Sequence, residues 1–323
     1  MRKFILLTCL ALLPAVAFSQ AKVGTAVGQF LEISPSARAE GMASAFIGVA
    51  DDIFAIYHNP GGLANQTSKQ VALAHVSHFA GIHNEFAAFS MPAMGGVIGV
   101  SLFTLTTAKM EETTPYHPEG TGRTFTAGGM ALGATYARPL TDRFSVGVNL
   151  KYVGEFYADK TANGWAMDIG TLYRTAFHDV RLGMMLSNFG PDLTFISQSF
   201  PIPMSFHFGA AGEIIKGPVH RLTLDMEGSH PNDNIEKFNI GMEYAYKEMM
   251  FLRAGYRFQS KSYKFKPKND EGKEEYFPYQ NDFASFGAGI RTALGGIIGK
   301  IDYSITLTRY TEPVHRISIS MLF

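Results

Sequence analysis

Charged residues recur at alternate positions in the second half of this chain, and they are the first groups that could do chemistry. Asp225 and Glu227 lie two apart, and Glu243 stands in the next alternating stretch. Arg253 and Arg257 stand in the stretch after that, and Arg291 and Asp302 follow. Even spacing puts such side chains on one face of an extended chain. Lining a passage, they would form a polar conduit or a solute site. Facing one another, they would neutralise each other, because an unpaired buried charge is costly. We expect the second arrangement, an internal ion-pair network. Asp51-Asp52 supplies two adjacent carboxylates. No further oxygen ligands follow at loop spacing, so capping and turn hydrogen bonds are expected there rather than calcium.

Ten histidines raise zinc and acid–base catalysis. His75 and His78 are three apart on an alternating stretch, however, and so point to opposite faces, with His83 beyond a turn. Ser205 and His207 do share a face, but no Asn or Asp partner stands beside them. There is no glycine-rich phosphate motif. No enzymatic activity, cofactor or metal site is expected.

Alternation is what must position these residues. Phe144, Val146, Val148, Leu150 and Tyr152 oppose Ser145, Gly147, Asn149 and Lys151. Phe238, Ile240, Met242, Tyr244 and Tyr246 oppose Asn239, Gly241, Glu243 and Ala245. Such patterns are half-buried strands. About fourteen are expected: near 70–78, 83–91, 96–107, 124–138, 144–157, 164–175, 180–189, 204–215, 220–228, 236–246, 249–259, 282–292, 296–307 and 315–323. Many reach the roughly ten residues that a tilted membrane strand requires.

The connections between them alternate in length. Tight turns fall at Pro92–Gly95, Pro139–Arg143, Phe177–Asp179, Lys216–Pro218, Tyr246–Glu248 and Leu294–Gly296. The opposite connections are mostly longer and more polar: 108–123, 189–203, 229–235 and 260–281. Short periplasmic turns and longer extracellular loops are the pattern of a closed antiparallel barrel in an outer membrane. Tyr152, Phe156, Tyr157, Trp165, Tyr173, Tyr256, Phe258, Tyr303 and Tyr310 would form its interfacial girdle.

The two ends agree with that reading. Met1-Arg2-Lys3, the apolar run Phe4–Val16 and Ala17-Phe18-Ser19 form an export signal over 1–19. Leu6-Leu7-Thr8-Cys9 departs from a lipoprotein box at Thr8, so no lipid anchor is expected. Cys9 is the one cysteine, and cleavage after 19 excludes disulfides. It also leaves 26 basic against 28 acidic residues, a net charge of −2 that gives no case for nucleic acid. Charged residues are 17% of the chain, and no later apolar run is long enough for a membrane helix. At the other end, Ile317, Ile319, Met321 and Phe323 share one face of a strand that runs out with the chain. Phe323 looks like the aromatic signal read by barrel assembly machinery.

Residues 20–68 do not alternate. Ser36–Ala45 is rich in small residues and is expected to form a short helix, and Asn59-Pro60-Gly61-Gly62 is a turn signal. The segment is too apolar for a disordered tail. It would fit inside the lumen of a barrel spanning 69–323.

Several motifs together resemble one family. Lys22-Val23-Gly24-Thr25, Gln29-Phe30-Leu31, Ser36-Ala37-Arg38-Ala39 and Gly41-Met42 are similar to the N-terminus of PorV/PorQ proteins, within the wider FadL-like group. Ala50-Asp51-Asp52, Ala55-Ile56-Tyr57 and Asn59-Pro60-Gly61-Gly62-Leu63-Ala64 resemble its hatch motif, with Gly61 where Ala is usual. Further matches fall at Tyr136–Gly147, Asp168–Tyr173 and Ser187–Pro191. The resemblance implies a fourteen-stranded outer-membrane barrel with a luminal N-terminal hatch. It also implies protein–protein contact in type IX secretion, with the translocon and the C-terminal domains of secreted cargo as partners. A FadL-like channel for hydrophobic or small solutes is the alternative.

Overall fold

The alternating stretches become fourteen antiparallel strands that close on themselves in this computed structural model, which describes residues 24–177, 179–259 and 281–323. The strands are β1 (Gln70–Ser77), β2 (His83–Ala93), β3 (Gly96–Thr106), β4 (Ala127–Pro139), β5 (Phe144–Tyr157), β6 (Lys160–Arg174) and β7 (Arg181–Phe189). They continue as β8 (Ser205–Lys216), β9 (His220–Pro231), β10 (Lys237–Tyr246), β11 (Met250–Gln259), β12 (Asp282–Leu294), β13 (Ile297–Thr308) and β14 (Val314–Leu322). Each pairs with its sequence neighbour, and β14 closes the sheet on β1 from Gln70↔Leu322 to Ser77↔His315. Phe323 extends the closure by exchanging backbone hydrogen bonds with Lys69. The expected signal at 1–19 lies outside the described residues, as do His178 and all of the expected loop at 260–281 except Asn281.

The two faces of the wall are chemically opposite. Leu73, Leu150, Tyr152, Leu252, Ile301 and Ile317 point outward, whereas Asn149, Asp168, Asp225, Glu243, Arg253 and Arg316 are buried inside. Only an apolar solvent makes that arrangement favourable, because each large outward side chain gains about 1.5–3 kcal/mol on leaving water. Of the expected girdle, Tyr152, Trp165, Tyr173, Tyr256, Phe258 and Tyr303 are exposed on the outer face, Tyr157 and Tyr310 are exposed at strand ends, and Phe156 is half-buried.

One end of the barrel has short turns and the other has most of the long loops, with corrections to the expected bounds. The β5–β6 connection is only Ala158-Asp159, because β6 starts at Lys160 rather than near 164. Thr124 and Phe125 do not belong to β4; they pair with Met110 and Glu111 in a small separate sheet. The loop between β7 and β8 folds back as a second such sheet, Leu193–Phe195 with Gln198–Phe200.

Residues 27–64 lie within the barrel as short helical turns and make up much of its core, with Met42, Phe46, Ile53, Ile56 and Leu63 fully buried. The helix expected over Ser36–Ala45 is a single turn, α1 (Ala37–Gly41). Ser36 caps it by accepting from the Ala39 N–H, and positive φ at Ala43 and Ser44 ends it. Ala55–His58 forms α2. The expected turn at Asn59-Pro60-Gly61-Gly62 is instead the start of α3 (Pro60–Leu63), with Asn59 as its cap and Pro60 at its first position.

Candidate functional site

Helix α1 carries two buried charges of opposite sign, one turn apart at most, and each enters its own ionic cluster in the lumen. Arg38 reaches toward the short-turn end. Its Nε lies 2.8 Å from Glu243 Oε2 and its Nη1 lies 2.9 Å from Asp52, with Asp51 on the same nitrogen. Glu243 also receives Arg253 Nε at 2.7 Å and Arg221 Nη2 at 3.3 Å, and Arg253 Nη1 lies 2.8 Å from Asp302. Burial alone would lower the Arg38 pKa; Asp51, Glu243 and Asp52 reverse this and hold it well above the ordinary value. Glu40 faces the long-loop end, between Arg257 at 3.5 Å and Arg316 at 3.6 Å, with Ser44 donating to it. Burial pushes Glu40 up, but Arg316, Arg257 and the Ser44 hydroxyl bring it down to about 2.

The charges expected to pair with one another along the wall therefore divide among different partners. Glu243 and Arg253 do pair directly. Among the described residues, Asp225 and Glu227 pair with no wall arginine. They clasp the turn after α1: Asp225 accepts from the Gly48 and Val49 N–H groups at 3.2 and 3.1 Å, and Glu227 from Phe46 and Ile47 at 3.1 and 3.0 Å. Arg257 joins Glu40 and Asp282. The Asp51-Asp52 pair clamps Arg38, and Asp52 Oδ1 also accepts from the Phe54 N–H at 3.0 Å.

Asn59 ties the next turn to the wall. Its Nδ2 donates to Ile47 O and Thr171 O, both at 3.0 Å, and its Oδ1 accepts from the Gly61 N–H. The turn comes so close to the strands that side chains there would collide. A Cβ on Gly147 would lie 2.3 Å from the Pro60 carbonyl carbon, and one on Gly183 would lie 2.1 Å from Ile47 O. Gly62 is likewise pressed against Ala50 O.

Between this inner segment and the long-loop end lies a cavity of about 380 Å³. Its floor is Ser34, Glu40, Tyr57 and His58; Ser187, His207, Glu227, Asn239 and Arg316 stand in its wall. Ser205 and His207 share a face, as their spacing predicts, but the hydroxyl beside His207 is another one. Ser187, on the neighbouring strand, lies 3.3 Å from His207 Nε2, and Glu227 lies 3.0 Å from Nδ1. This resembles the order of a hydrolytic triad, but the Ser187 hydroxyl is shared with the Ser205 carbonyl, and Glu227 is committed to the Phe46 and Ile47 amides. The chain of contacts seats the inner segment. Alternation showed that His207 faces inward; which serine meets it depends on the stagger of β7 and β8. His75 and His83 stack outward at 5.4 Å, and His78 lines the cavity on the other face.

His58 gives the site a pH dependence. Burial pushes it down to about 4, against the pull of Glu227, Glu40 and Asp52. Its folded pKa lies below the unfolded value near 6.5, so the unfolded chain takes up the proton first as pH falls. The His58 contribution to stability is complete above pH 6.5, and about 3 kcal/mol of it is lost toward pH 4. The Glu40 contribution, complete above pH 4.5, is lost in turn as pH falls toward 2. Thermal unfolding at pH 7 and 4.5 should show the first loss, and His58→Gln should remove most of it. An unchanged difference in the variant would contradict this.

No protein-family model matches the chain, and no curated protein does. Solved structures do share its fold. The toluene transporter TbuX of Ralstonia pickettii aligns at 14% identity, over 92% of this chain and 99% of that one, with a TM-score of 0.61. The Pseudomonas putida toluene transporter TodX aligns at 13%, over 94% and 99%, with a TM-score of 0.58. A Pseudomonas aeruginosa FadL homologue aligns at 10%, over 94% and 99%, with a TM-score of 0.55. At these identities the likeness is one of fold: a fourteen-stranded barrel like those of FadL-type outer-membrane proteins.

Proposed function

We propose that the protein is an outer-membrane channel of FadL-like build that admits a small solute and is closed at rest by its N-terminal hatch. The long-loop end faces outside and the short turns face the periplasm. The observation that carries this reading is the cavity itself. It lies toward the long-loop end and is floored by residues of the inner segment, so a solute held there would meet the hatch next. The structural neighbours named as toluene transporters favour a channel, but eight charged side chains stand among the residues lining this cavity, which argues against a hydrocarbon cargo.

A second reading keeps the PorV/PorQ resemblance: docking to a type IX translocon and to the C-terminal domains of its cargo. The hatch-motif matches and the two small sheets that enlarge the long-loop end favour it. Assembly machinery that reads Phe323, and the surrounding lipid, would be partners under either reading.

The two readings are separated in a strain lacking this gene. Loss of small-solute uptake with normal protein secretion supports the channel. Loss of secretion with normal uptake overturns it in favour of docking.

A further inference from the structure

We infer that the cavity above the hatch binds a neutral, polyhydroxylated solute of saccharide type. This rests on reading the cavity as the solute site. The argument starts from charge. The lining contains four carboxylates, Glu32, Glu40, Glu227 and Asp282, and four cations, Lys151, Lys237, Arg257 and Arg316. The two sets balance, so the cavity has no net formal charge with which to select an ion. Each is also already paired. Lys151 lies 2.7 Å from Asp168, and Lys237 lies 3.9 Å from Glu32. Arg257 and Arg316 share Glu40, Arg257 also holds Asp282, and Glu227 holds His207. A charged ligand would have to break one of these pairs and leave its partner buried and alone, which is costly.

What remains available is neutral. His58 uses Nε2 toward Ser34 Oγ at 3.0 Å, and its other ring nitrogen has no partner among the described residues. Its low pKa keeps the ring uncharged at neutral pH. Asn239 spends Oδ1 on Arg257 Nε at 3.2 Å, which leaves its amide N–H groups. Ser205 and Ser229 line the same space with hydroxyls that no side chain among the described residues engages. An imidazole, an amide and two hydroxyls can both donate and accept. That set suits a ligand carrying many hydroxyls and no charge. It suits a hydrocarbon poorly, since an apolar ligand would leave these groups without partners. A volume of about 380 Å³ lies at the small end of ligand sites, enough for one or two sugar rings.

The test is titration calorimetry on the purified full-length protein in detergent. The probes are glucose, maltose, cellobiose and sucrose, with glutamate, glucuronate and toluene for comparison. At least one neutral sugar should bind saturably, and glucuronate should bind at least tenfold more weakly than that sugar. His58→Phe and Asn239→Leu should each weaken sugar binding tenfold or more, with a normal heat-modifiable barrel on gels to show that both fold. Absence of binding by every neutral sugar overturns the inference, as does tighter binding of toluene, glutamate or glucuronate. Wild-type affinity in both variants also overturns it. Flux into proteoliposomes is scored separately. Sugar binding without flux rejects the channel and keeps the site; flux of other solutes without sugar binding rejects the site and keeps the channel.

Discussion

Replacing Arg38 with methionine should loosen the hatch and open the barrel. Arg38 is held by Asp51, Asp52 and Glu243 together, and Glu243 lies 205 positions away in the chain. Breaking a buried ion pair from one side typically costs about 3–5 kcal/mol, because the remaining charge is stranded. That is a large fraction of the stability of most domains. The wall keeps its own ladder of strand hydrogen bonds, so the cost should fall on the hatch first. In planar bilayers the wild-type protein should be nearly silent, since the lumen is filled and fourteen strands are fewer than the 16–18 of open porins. Arg38→Met should show frequent openings and a lower unfolding temperature. Adding Asp52→Asn to it removes a carboxylate that has lost its cation and keeps an oxygen for the Phe54 N–H, and should recover part of the loss. A silent, equally stable Arg38→Met variant would remove the ion pair from any role in closure.

A second large effect is expected from one added side chain at the seat of the hatch. Gly147 and Gly183 face inward on β5 and β7, and both meet backbone of the inner segment rather than movable side chains. Ordinary overpacking costs about 1–3 kcal/mol. Here a valine cannot be accommodated by changing a rotamer, so the cost should reach or exceed the upper end. Gly147→Val and Gly183→Val should leave a barrel that inserts but leaks. Gly212→Val is the control. It lies on the outward face of β8, and its added carbon would meet only Val180 at 3.6 Å. Equal conductance in all three variants would show that close approach at these glycines does not seat the hatch.

The sequence alone determined that the chain forms strands, roughly how many, and which residues face inward. These properties are local. A period of two is written in each stretch independently, and it places Arg253, Glu243 and Asp225 inside before any partner is known. The ends of the barrel were also legible, because turn residues and loop lengths are local too. Register was not. The stagger of β8 against β7 decided that His207 meets Ser187 rather than Ser205, and alternation is the same for either serine. A two-residue turn after Tyr157 escaped notice because Ala158-Asp159 carries no glycine or proline signal.

The partners of the inward charges depended wholly on the tertiary structure. Alternation showed that Asp225, Glu227, Glu243, Arg253 and Arg257 share the lumen, which suggested that they neutralise one another. In the folded chain a non-alternating segment lies among them. Arg38 and Glu40 take up Glu243 and Arg257, while Asp225 and Glu227 bind backbone amides. In the sequence Arg38 stands out only as part of a motif and Glu40 only as a member of the short helix over Ser36–Ala45, since a one-turn helix gives no periodic signal of its burial. Which charge meets which is set by the depth at which that helix sits in the barrel. That depth comes from the glycines of several strands acting together, and no local stretch of sequence contains it.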